Sequence, residues 1–284
     1  MDEPSVSGGF GKALNIHGYG FQHSVLRLAN KLFEQNKSGW IFEAAEFPVQ
    51  VQGEGTRIDF ILRLKSYLPI YLLAECKRAN PALANWCFSK APYVRRNRTA
   101  FEPLLVEFVQ PDENGSLYAY ARQGHDLHDA YHVALEVKSS EKGDPHGSGR
   151  GKIEEAATQI CRGLNGFVEF VMANKQILSD QATAYFFPVI FTTARVWVSD
   201  VDLASADIEK GNIDFDQANL EQKPWVFYQY HLSPNIKHSR SPSERPKTIG
   251  EFLDSEYIRT IAIVTSSGIE QFLGWCYNFD AYLD

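Results

Sequence analysis

Three runs rich in β-branched and aromatic residues, 40–51, 57–64 and 70–78, follow one another with only a few residues between them. Runs of that composition read as strands. Breaks as short as the one at Gly53-Glu54-Gly55 and the one at 66–69 favour antiparallel neighbours, since a parallel connection needs a dozen residues or more. The chain is thus committed early to a meander. Ahead of it, Phe21, Val25, Leu28, Ala29 and Leu32 recur at the spacing of one helix face over 21–34, and residues 1–15 read as a loose start. Further strands are expected at 104–109, 117–121, 132–138, 185–190, 195–198, 225–232 and 259–265. The longest helical pattern covers 153–174, and a short helix at 268–277 follows the last strand. Residues 80–98 are mixed, while the glycine-rich 141–152 and the polar, proline-rich 233–246 read as loops.

A chain of 284 residues, 44% of them apolar, has ample material for a core, and we read 1–284 as a single domain. The best apolar run, Ala182 to Ala194, is interrupted by Pro188 and falls short of the roughly 18 residues a membrane-spanning helix needs. The acidic start Met1-Asp2-Glu3-Pro4 has no apolar core of the secretory type, so a cytoplasmic protein without membrane contact is expected. Cysteines 76, 87, 161 and 276 show no CxxC pairing, which suits free thiols. With 28 Lys and Arg against 35 Asp and Glu, the net charge of -7 excludes a uniformly basic nucleic-acid coat. Local patches remain. Lys90, Arg95, Arg96 and Arg98 surround Tyr93 without an acid, a mixture suited to phosphate contact and base stacking. A second, more dilute basic stretch lies at 237–247.

The chemistry concentrates at Asp59 and at Glu75-Cys76-Lys77. Residues two apart on a strand share a face, so Glu75 and Lys77 point together while Ala74 and Cys76 enter the opposite layer. An antiparallel neighbour can place Asp59 beside them. Two converging carboxylates repel unless a positive charge offsets them. A hard divalent cation does so, and Mg²⁺ favours one or two carboxylates plus water and a substrate phosphate. The bland alternative is a half-exposed strand that shows acid and base to water.

Asp59, fifteen intervening residues and then Glu75-Cys76-Lys77 resembles the PD-(D/E)XK nuclease superfamily. The resemblance implies an α/β, restriction-endonuclease-like core: a helix, a three-strand antiparallel run, a crossover helix and a further strand. Here an inserted β layer at about 80–150 would lie between the two halves, and Ile58 stands where the family commonly has Pro. By the same resemblance, Asp59, Glu75 and the Cys76 carbonyl would hold Mg²⁺, for which Mn²⁺ can substitute, and Lys77 would orient the attacking water. Gln22, early on the first helix, and Gln159, on the long one, would support the site, and Lys90, Arg95, Arg96 and Arg98 would bind nucleic acid. The implied activity is metal-dependent hydrolysis of DNA phosphodiesters in restriction or phage defence, with RNA left open. A homodimer or a partner defence subunit would suit such a role. An inactive nuclease-like fold used as a binding or assembly module is the alternative from another class.

E-x-K also occurs at Glu136-Val137-Lys138 and Glu221-Gln222-Lys223. The former is a credible strand leading to the long helix, but its upstream acids Asp126 and Asp129 lie in a polar stretch. The latter reads as polar loop. Gly147 to Lys152 fails as a phosphate loop, because His146 and Ile153 occupy key positions. His125, His128 and His132 lack the helical pattern that would support zinc. Gly163 and Gly166 cost roughly 1 kcal/mol each within a helix, which predicts close approach by another backbone. The polar stripe Thr158, Arg162, Asn165 and Glu169 could simply be solvated.

Overall fold

The computed structural model describes residues 6–16, 18–93, 102–103, 107–111, 117–119, 126–127, 130–138, 151–174, 177, 184–213, 219–236, 248–250, 253 and 257–277. The chain opens with helices α1 (Val6–Ile16) and α2 (Tyr19–Glu34), then the meander β1 (Trp40–Val51), β2 (Glu54–Leu64) and β3 (Ile70–Lys77). The following segment supplies β4 (Asn85–Ser89), β5 (Glu102–Pro103), β6 (Glu107–Pro111), β7 (Leu117–Ala119), β8 (Asp126–Leu127), β9 (Ala130–Tyr131) and β10 (Val133–Val137). Helix α3 (Gly151–Ala173) leads into β11 (Ala184–Thr192) and β12 (Arg195–Ser199). The chain continues through β13 (Leu220–Lys223), β14 (Trp225–His231), β15 (Ile258–Thr265) and α4 (Ile269–Tyr277).

The main sheet runs β1-β2-β3-β11-β15-β14-β9, with β6 and β7 attached beside β11. β1, β2 and β3 pair antiparallel in sequence, as their short connections require. After a long excursion and α3, the chain returns as β11 parallel to β3, with Glu75 level with Ile190 and Lys77 level with Thr192. β11, buried at every position, reads as the continuous apolar run of a strand covered on both faces.

One face packs on α2 and α4 through Val25, Leu32, Phe60, Leu72, Phe191 and Phe272. The other packs on α3 and the second sheet through Ile160, Leu164, Leu73, Ile190, Trp86 and Val196. That second sheet has the order β10-β4-β12-β13. The protein is a mixed α/β structure in layers, and no helix among the described residues is long and apolar enough to cross a membrane.

Several expectations change. The loose start at 1–15 contains α1, and the mixed stretch 80–98 contains β4, aligned with β10 and β12. The segment at 80–150 does not form one added layer. β6 joins β11 and β9 joins β14 in the main sheet, while β4 and β10 join the second. Exposed Glu221 and half-buried Lys223 lie on edge strand β13 rather than in a loop, paired with each other. Gly163 and Gly166 face side chains, Ile58 for the first and Val49 and Val51 for the second, not backbone. The polar stripe of α3 is partly used. Thr158 bonds the Tyr230 hydroxyl at 2.8 Å and Arg162 pairs with Glu54 at 2.6 Å. Buried Asn165 donates to the Ile236 carbonyl and accepts from buried Arg259.

Candidate active site

The register that sets Phe60 against Ala74 carries Asp59 to the level of Glu75 on the neighbouring strand. The strand is irregular there. Ile58 packs towards α3 and Phe60 towards α2, although the two lie two residues apart. Opposite Asp59, between the pairs Ala45–Phe60 and Phe47–Ile58, stands Glu46 with φ 50°. A left-handed backbone at a non-glycine residue is uncommon and tends to mark a constrained site.

Around that irregularity β1, β2, β3, α2 and α3 come together. Asp59 Oδ2 accepts the backbone N–H of Cys76 at 2.6 Å, tying the middle of β2 to β3. Buried Gln22, near the start of α2, donates through Nε2 to the Asp59 carbonyl at 2.8 Å and to Glu46 Oε1 at 3.0 Å. Lys77 Nζ lies 2.9 Å from Glu75 Oε1. From α3, Glu155 Oε1 approaches Lys77 Nζ at 3.3 Å, and Gln159 Oε1 accepts from the same ammonium. Glu155 in turn meets Lys152 at 2.7 Å.

Burial governs the charge states. Glu75, only 4% exposed, has its pKa pushed up to about 7, first by desolvation and then by the Asp59 carboxylate, against the pull of Lys77. Burial also raises Asp59, although its bond from the Cys76 N–H works the other way. Burial works to lower the Lys77 pKa, but the Glu75 and Glu155 carboxylates outweigh it and hold the ammonium charged. Glu155 is lowered, chiefly by its hydrogen bond from Lys152. The result is two acids that resist joint ionisation beside a fixed cation, a combination concentrated at functional sites.

Asp59, Glu75, Cys76, Lys77, Gln22 and Gln159 therefore share one locality. Glu46 and Glu155 belong to it too and were missed. Glu155 could have been found from its place four residues before Gln159 on the same helix, a spacing that puts both on one face. Glu46 carries no comparable signal. Of the expected nucleic-acid contacts, Lys90 lies over the Tyr131 ring at 5.9 Å, and Arg95, Arg96 and Arg98 lie outside the described residues. So do the 237–247 patch, His125, His128 and 147–150; His132 Nδ1 accepts the Ala91 N–H at 3.2 Å.

The second E-x-K pair has a different use. Glu136 is buried, and its Oε1 accepts the N–H groups of Lys152 and Ile153 in the first turn of α3. A carboxylate there satisfies donors that have no partner within the helix.

Among the described residues, no three His, Cys, Asp or Glu side chains are grouped to hold a metal ion unaided. Asp59 and Glu75 are a two-carboxylate set, the number with which Mg²⁺ is commonly bound when water and phosphate complete its shell. No family model, curated protein or solved structure matches the chain.

Proposed function

We propose that this protein is a metal-dependent nuclease of restriction-endonuclease-like architecture that hydrolyses DNA phosphodiesters. The observation that carries this reading is the meeting of Asp59, midway along β2, with Glu75 and Lys77 at the end of β3, closed by Gln159 from the helix that crosses to parallel β11. The order of elements supports it: a helix, three antiparallel strands, a crossing helix and a fourth strand parallel to the third. A role in restriction or phage defence is the setting that the sequence resemblance favours.

Asp59 and Glu75, with the Cys76 carbonyl, would hold Mg²⁺ or Mn²⁺. A divalent cation would relieve the repulsion between buried Glu75 and half-buried Asp59, which fits the donor set. When bound, the cation supplies positive charge at the phosphate and makes water more acidic. The chain's own part follows from Lys77. Its ammonium, fixed by Glu75, Glu155 and Gln159, stabilises the charge that builds on the phosphate oxygens as water attacks phosphorus. One P–O bond forms, the ester P–O bond breaks, and the water proton ends on the departing alkoxide. Gln22 holds the Asp59 backbone and is a positioning residue.

The test is cleavage of plasmid and single-stranded DNA with Mg²⁺, Mn²⁺ or EDTA. Cutting is expected with either metal and not with EDTA. Lys77→Ala should lose about a hundredfold or more, and Lys138→Ala should cut as the wild type does. Absence of cutting with every metal would overturn the reading and leave a nuclease-like fold serving as a binding or assembly module.

A further inference from the structure

We infer that a single strand of DNA is held in the groove between α2 and β1, with phosphates on Arg27 and Lys31 and a base on Phe42. This deepens the nuclease reading by naming the form of its substrate, and it rests on that reading only for the strand's eventual cleavage.

The groove holds about 550 Å³ and is walled by His23, Arg27, Lys31 and Glu34 on the helix and by Phe42 and Ala45 on the strand. Spacings of four residues place His23, Arg27 and Lys31 along one stripe of α2. At about 1.5 Å per residue, the stripe from His23 to Glu34 is about 16 Å long, enough to follow a backbone past several phosphates. In a chain whose acids outnumber its bases, neither Arg27 nor Lys31 is ion-paired among the described residues. Glu34, at the far end, is the acid in this lining.

The other wall supplies what a backbone track alone would lack. Phe42 keeps 45% of its surface exposed although it lies on a strand whose Trp40 is wholly buried. A base can stack on such a ring only when it is not already stacked inside a duplex, which selects a single strand. Two lining residues are also the sequence neighbours of the residues that support Asp59. His23 follows Gln22 and Ala45 precedes Glu46, and Gln22 bonds both Glu46 and the Asp59 carbonyl.

Binding is measured by fluorescence anisotropy in EDTA, with a labelled 20-nucleotide DNA strand, its duplex and an RNA strand of the same sequence. The wild type should prefer the DNA strand. Arg27→Glu/Lys31→Glu should weaken that binding at least tenfold and flatten the slope of log K against log salt by about 1.4, for two phosphates at about 0.7 each. Phe42→Ala should weaken the single strand fivefold or more and leave the duplex unchanged. Both changes are at exposed positions, and thermal melting checks the fold. Unchanged affinity in both variants, or preference for duplex or RNA, would overturn the inference. Chelated metal separates this result from the cleavage test. Cutting by the wild type with binding unaltered in the variants removes the groove and keeps the nuclease. Binding lost in the variants of a protein that never cuts does the reverse.

Discussion

A Cβ added to Gly166 would lie 2.6 Å from the Cβ of Val49, so α3 and β1 touch at a distance that only glycine permits. Gly166→Ala should cost about 1–3 kcal/mol, since neither the helix nor the buried strand residue can yield freely. Gly163→Ala meets the Ile58 Cγ1 at 2.9 Å, an atom of a side chain with some freedom, and should cost less. Urea unfolding checks both: the midpoint should fall, further for Gly166→Ala, with the slope unchanged.

Removing the Glu136 carboxylate separates architecture from chemistry. Glu136→Ala leaves the Lys152 and Ile153 N–H groups without their acceptor. The expected loss is about 1–2 kcal/mol of stability, with cleavage per folded molecule kept. Intact stability with lost cutting would instead transfer the reaction to this second pair.

Glu75 gives the metal-free protein a defined pH response. A carboxyl whose folded pKa is raised favours the fold most below its unfolded value of 4.5, and that contribution disappears as pH climbs through about 7. The shift corresponds to about 3 kcal/mol. Thermal melting in EDTA should therefore show a fall of several degrees in Tm between pH 5 and 8. Glu75→Gln should flatten that slope; an unchanged slope would show that Glu75 does not carry it.

Glu155 and Gln159 should separate by what they alter. Glu155 is nearly half exposed, so Glu155→Gln should change stability by less than about 1 kcal/mol. Either Glu155→Gln or Gln159→Ala frees the Lys77 ammonium from one of its anchors. About a tenfold loss of cleavage is expected for each, smaller than for Lys77→Ala, at unchanged Tm. Full activity in both variants would show that Glu75 alone orients the lysine.

The meander was legible because its strands are long, apolar and joined by short turns, and period-two alternation then placed Glu75 and Lys77 together. The long helix was legible from its stripe, and Gln159 came with it. Short elements were not. β4 has five residues and draws its definition from β10 and β12, partners far away in sequence. α1 carries three glycines among its first six residues, which masks its periodicity. Glu46 escaped because its role depends on a left-handed backbone opposite Asp59, a feature that tertiary contact imposes and no spacing announces.

The parallel seam between β3 and β11 also dictates when the constellation can exist. Lys77 is in place with the first hairpins, whereas Glu155 and Gln159 arrive only after the intervening excursion has been synthesised. Closing such an excursion is thermodynamically mild, about 0.6 kcal/mol for each doubling of its length. Kinetically it is a delay, because distant pairings form late. A nascent chain can thus hold both carboxylates well before it acquires the helix that restrains the lysine, and competence would be reached only near the end of folding.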